Sequence, residues 1–150
     1  MTTNTPAAVR AAFVTWLVAV GAGAFETVLV VASGEAGDGA AVGVAVRLTV
    51  FVAAVLVALR MRAGRRWARL ALTVGLGVLG TLSLVLGPIG WLLDGNSLPD
   101  LVSSASALDL TFGASRVVHV CAVLAGCVLM FVPSANAWFR SRARARVAVG

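Results

Sequence analysis

Four ionisable side chains, Glu26, Arg47, Arg116 and His119, stand inside stretches that are otherwise almost wholly apolar. A lone charge in hydrocarbon is costly, whereas one that is paired or faces a polar cavity is tolerated, so each is a candidate for handling an ion or a proton. Asp109, Phe112, Arg116, His119 and Val123 follow steps of three and four residues, which puts the polar members Asp109, Arg116 and His119 on one helix face. Glu26 and Arg47 each lie about six residues from the facing ends of two apolar segments joined by a short turn. They therefore meet at one depth, and a Glu26–Arg47 salt bridge is expected. Together Glu26, Arg47, Arg116, His119 and Asp109 outline a polar pocket for an anion or a proton. The arginines are its charge partners, and His119 is a side-chain type that changes protonation near neutral pH. The same residues also suit an ion-pair network that only fixes helix order, with His119 hydrogen-bonded and inert. The pocket requires the first and fourth helices to be neighbours.

Other chemistries find little support. One His cannot ligate a haem from both sides, and the chain has no CxxC, no HExxH and no third metal ligand near Cys121 or Cys127. Those cysteines are six residues apart, about 9 Å along a helix, too far for a disulfide between them, and they read as small packing residues. GLGVLG, Gly75 to Gly80, matches GxGxxG but lies within an apolar segment without a preceding strand, so it reads as packing. Ser103, Ser104 and Ser106 have only Asp109 or His119 nearby as a base. No cofactor, metal or enzymatic activity is expected; an enzyme acting on a lipid-linked substrate is the least supported reading.

The elements that must position these residues follow from composition. With 60% apolar residues among 150, 12% charged residues and a mean hydropathy of +0.99, the chain is too apolar for an ordinary water-soluble domain. A bilayer core about 30 Å thick needs roughly 20 apolar residues per helix, and four such runs use up nearly the whole chain as one membrane domain. The spans are 11–32, 40–59, 70–87 (ended near Pro88) and 112–132 (stopped by Pro133). The first is expected to remain uncleaved, despite the small residues Ala22, Gly23 and Ala24, because its apolar run continues to Ala32. Between the third and fourth spans, Ser97 as cap, Pro99 and Asp100 in the first turn, and Leu98, Leu101, Val102, Ala105 and Leu108 at helical spacing predict a short surface helix at about 98–108.

All twelve basic residues are Arg, and ten of them lie at Arg10, in the 60–69 connection and in the 140–146 tail. Five of the six acids, Glu35, Asp38, Asp94, Asp100 and Asp109, lie in the alternate connections, which contain no Lys or Arg. This alternation predicts both termini in the cytoplasm, with Gly64 turning the basic loop and Trp67 and Trp91 at opposite interfaces. It makes nucleic acid an unneeded partner for the net charge of +6. Arginines two apart do not share a helix face, so the RxRxRxR tail is expected to be a mobile arm at anionic headgroups.

Small residues recur every fourth position at Ala11, Thr15, Ala19, Gly23 and Thr27; at Ala41, Ala45, Thr49 and Ala53; and at Thr73, Gly77 and Thr81. Such rows let helix backbones approach in lipid, where packing drives association. The segment RMRAGRRWARLALTVGLGVLG, Arg60 to Gly80, resembles a G-R-x-W-A-R connection of small, mostly uncharacterised four-helix membrane proteins of high-GC bacteria. The resemblance implies four helices and no activity. Small multidrug transporters also carry a Glu on helix one, but their aromatic binding helices have no counterpart in a chain without Tyr, and quinone-linked disulfide enzymes need cysteine motifs absent here.

The expected architecture is thus all-α: a four-transmembrane-helix bundle, N-in and C-in, in the bacterial cytoplasmic membrane. The expected role is a non-enzymatic subunit or accessory protein packing with itself or a larger membrane complex. The alternative is a small transporter or channel-like protein that uses the polar pocket.

Overall fold

Long apolar runs cannot leave backbone N–H and C=O groups unsatisfied in hydrocarbon, and the chain meets this demand with helices. The computed structural model describes residues 4–34 and 39–147; Glu35 and Asp38 of the first turn lie outside the described residues, as do the side chains of residues 100–102 and 146–147. Helices α1 (Ala7–Ala32), α2 (Ala40–Arg62), α3 (Arg66–Leu93) and α5 (Ala107–Phe131) are each long and apolar enough to cross a membrane. Two further helices, α4 (Leu98–Ser104) and α6 (Pro133–Val147), flank α5 in the chain.

Helix α3 changes pitch along its length, with a π-helical stretch at Thr73–Gly80 between α-helical ends. It does not stop near Pro88 but continues to Leu93 with Pro88 inside it. Proline removes one N–H from the ladder, a loss that membrane helices accommodate by local adjustment. The segment at 98–108 is not one helix either: α4 ends at Ser104, and Ser106 caps α5, so Leu108 and Asp109 belong to the long helix.

The α1–α5 interface is the most extensive, and α2 packs on the same α1. Helices α2 and α3 meet across Arg66–Leu72, at the Arg-rich end, and make little contact beyond it. Close approach of α1 and α5 depends on missing side chains. A Cβ on Gly126 would stand 3.0 Å from Trp16 Cε2, and one on Gly23 would stand 3.1 Å from His119 Cε1 and 2.9 Å from Phe51 Cε1. Ala19, Gly23 and Thr27 of the first small-residue row are buried accordingly. Thr73 and Gly77 are half-buried, and a Cβ on Gly77 would reach Cys127 Sγ at 2.8 Å. The α2 row behaves differently from expectation: Ala41, Ala45, Thr49 and Ala53 are exposed, and α2 instead buries Ala54, Ala58 and Met61. With alanine on several faces of α2, spacing alone did not select the packed one.

The best-buried core lies toward the Arg-rich end, around Trp16, Met61, Leu72, Met130 and Phe139. The tail contributes to it as a helix, not as a mobile arm. Pro133 occupies the first helical position of α6, where its missing N–H is harmless, and Ala135, Trp138 and Phe139 at helical spacing bury one face. Gly64 turns the connection with φ +81°, and a Cβ there would meet Trp138 Cη2 at 3.3 Å. Arg69 is held between aromatic rings, its Cζ 4.5 Å from the Phe131 centroid and 4.6 Å from that of Phe139, while its Nη1 donates to Asn136 Oδ1 at 2.9 Å. Two-residue spacing spreads the arginines around α6: Arg140 and Arg144 are exposed, whereas the Arg142 guanidinium lies over the Trp138 ring.

These contacts set a test of the packing. Gly126→Leu forces Trp16 to move and should destabilise the bundle by about 1–3 kcal/mol through overpacking. Gly43→Leu, where a Cβ meets nothing within 4 Å, should leave stability unchanged or slightly raised by helix propensity. Thermal unfolding of both variants in mild detergent distinguishes the sites; equal melting temperatures would contradict the interface.

Candidate functional site

The α1–α5 contact brings together residues that are far apart in sequence. Glu26 on α1 and His119 on α5 are nearly buried, and His119 Nδ1 lies 3.3 Å from Glu26 Oε1, within hydrogen-bond and ion-pair distance. The expected Glu26–Arg47 salt bridge is absent; His119 stands against Glu26 instead. Equal depth put Glu26 and Arg47 at one level, but the packed face of α1 turns Glu26 toward α5.

Beside this pair is a cavity of about 400 Å³ to which all four long helices contribute. Glu26, Arg47, Arg116 and His119 all line it, in a wall otherwise mostly apolar, with Phe51 and Phe112 as its aromatic members. Arg116 Cζ sits 5.2 Å over the Phe112 ring one turn earlier on α5. Its Nε is buried with no hydrogen-bond partner, which is uncommon for a charged group and leaves a donor unused. Arg47 is exposed and reaches the cavity from α2. Neither arginine has a carboxylate within ion-pair distance among the described residues. The lining thus carries two arginines against one glutamate, and that glutamate is already engaged by His119.

Asp109 does not join this group. It is exposed in the first turn of α5, where the Ser106 backbone N–H and hydroxyl donate to its Oδ2 at 2.9 and 2.7 Å and its own N–H donates to Ser106 Oγ at 3.2 Å. This reciprocal capping box satisfies N-terminal helix donors. Its signature, Ser106-x-x-Asp109 before an apolar run, stands in the sequence and outweighs the shared face with Arg116.

No protein-family model, curated protein or solved structure matches this chain.

The site must therefore be read from its own geometry. Two features were not visible in spacing. Phe51 closes against Gly23, so the row read as helix packing also shapes the cavity wall. The π-helical stretch of α3 brings Leu76 and Gly80 to the lining, and such stretches recur at functional sites. Among the described residues no three of His, Cys, Asp or Glu gather as a metal site, and Cys121 and Cys127 are free thiols.

The Glu26–His119 contact has a direct energetic test. His119→Ala leaves a nearly buried carboxylate without its partner and should cost about 1–3 kcal/mol. The double variant Glu26→Gln/His119→Ala should cost less than the sum of the singles in a double-mutant cycle read by unfolding in detergent. Additive effects would show that the 3.3 Å contact carries no coupling.

Proposed function

We propose that this chain is a non-enzymatic multi-pass membrane protein that binds an anion in the cavity between its four long helices, as the binding step of a small transporter-like protein. The observation that carries this reading is the charge inventory of the lining: Arg47 and Arg116 without carboxylate partners among the described residues, one of them with a buried unused donor, beside a glutamate engaged by histidine. Excess positive charge in a mostly apolar wall attracts an oxyanion, because guanidinium groups pair with phosphate or carboxylate through strong charge-assisted hydrogen bonds. The aromatic-rich core at the Arg-rich end supports a cavity shut on that side.

The distribution of arginine supports an orientation with the Arg-rich end, and hence both termini, in the cytoplasm of a bacterial cell and the cavity toward the outer leaflet. Helix α4 then lies at the outer surface, and α6 presents its arginines to anionic headgroups of the inner one.

A second reading, a subunit that packs with its own kind or with a larger complex, gains one observation. The row Ala41, Ala45, Thr49 and Ala53 faces outward on α2, available to another helix. Cysteine crosslinking at Ala45 in native membranes reports on it.

Two outcomes are expected. Inorganic phosphate or sulfate should raise the melting temperature of the purified protein, and Arg116→Gln should weaken that binding at least tenfold while the variant stays folded; an undiminished response would sink the anion site. Alkaline phosphatase fused after Gly95 should be active and after Gly64 inactive, and the reverse pattern would invert the topology.

A further inference from the structure

We infer that the anion is the head group of an amphiphile whose hydrocarbon chain leaves the cavity sideways, between α2 and α3; this rests on the anion-binding reading above. Three observations converge on it. The first is size: about 400 Å³ is the room of roughly a dozen waters at about 30 Å³ each, and an inorganic phosphate fills only a small part of it. The second is the lining, which sets two guanidinium groups among Phe51, Phe112, Val50 and Leu84, so that charged and apolar groups border the same space.

The third is the shape of the opening. The lining contributed by α1 and α5 is buried or half-buried throughout, with Glu26, Thr27 and Val123 each under 8% exposed. The lips are different: Arg47 and Val50 on α2 and Ser83 on α3 line the cavity yet are exposed. They lie where α2 and α3 have parted, having met chiefly across Arg66–Leu72. Counted along the helices at about 1.5 Å per residue, Arg47 is about 10 Å from the start of α2 and Ser83 about 15 Å from the end of α3. Those depths belong to the hydrocarbon of one leaflet, not to its surface. The opening therefore faces acyl chains, and the apolar side chains flanking it, Val46 on α2 and Leu79 and Leu86 on α3, are each more than half exposed. A ligand reaching the arginines by that route brings a hydrocarbon chain with it and leaves the chain among its own kind.

The test uses the full chain in nanodiscs of zwitterionic lipid. Binding of hexadecyl phosphate and of inorganic phosphate is compared in the wild type and in Arg116→Gln, and a hexadecyl phosphate with a photoactivatable group in its chain maps where the chain lies. The expected result is hexadecyl phosphate bound at least tenfold more tightly than phosphate, that preference reduced at least tenfold in Arg116→Gln, and labelling at Val50 and Ser83. If inorganic phosphate binds as tightly and depends on Arg116, the amphiphile is overturned while the anion site stands. If neither binds, or if hexadecyl phosphate binds wild type and Arg116→Gln alike, the anion site and the inference fall together. Labelling confined to other lipid-facing surfaces overturns the sideways route whatever the affinities.

Discussion

Everything at the cavity depends on how closely α1 and α5 approach, and that approach depends on two hydrogens where other residues carry a side chain. Gly23 receives His119 and Phe51, and Gly126 receives Trp16, so closely that a Cβ at either position would press on its neighbour at 2.9–3.1 Å. In lipid there is no hydrophobic drive between helices, so dispersion at a close interface must hold them, and glycine permits it. The same contact brings Glu26 within 3.3 Å of His119. Helix association and the placement of a charged residue in an apolar layer are thus one event.

The two ends of the bundle solve different problems. Toward the Arg-rich end, α6 folds back, and Trp138, Phe139, Met61 and Met130 close a well-packed core over which Arg69 is clamped by two phenylalanine rings and Asn136. Guanidinium against aromatic faces keeps a cation near apolar packing at little cost. Toward the other end, α2 and α3 part and the π-helical turn of α3 borders a cavity. The bundle is thus packed most tightly at one end and hollow toward the other, with Ala19 and Val123 shared between the core and the cavity wall.

Much of this was legible in the sequence, for identifiable reasons. Four long helices follow from apolar length alone, because hydrocarbon leaves the backbone no other choice. Gathering Glu26, Arg47, Arg116 and His119 followed from depth and helical spacing, which fix height and face on one helix. What spacing cannot supply is the rotation of one helix against another: Glu26 pairs with His119 instead of Arg47, and the Ala45–Thr49 face of α2 points outward. Asp109 and the tail differ from expectation for another reason, since each carries a stronger local signal. The Ser106–Asp109 capping box takes the carboxylate, and the buried face of Ala135, Trp138 and Phe139 makes the basic tail a helix.

Whether Arg47 and Arg116 hold an anion is tested most directly by an experimental structure of the full chain in a lipid nanodisc with tungstate, a phosphate-like anion dense enough to locate without ambiguity. Tungstate density is expected inside the cavity, in contact with Arg116 and within reach of Arg47, with Glu26 still against His119. A cavity without the anion, and with either arginine turned onto Glu26, would contradict it.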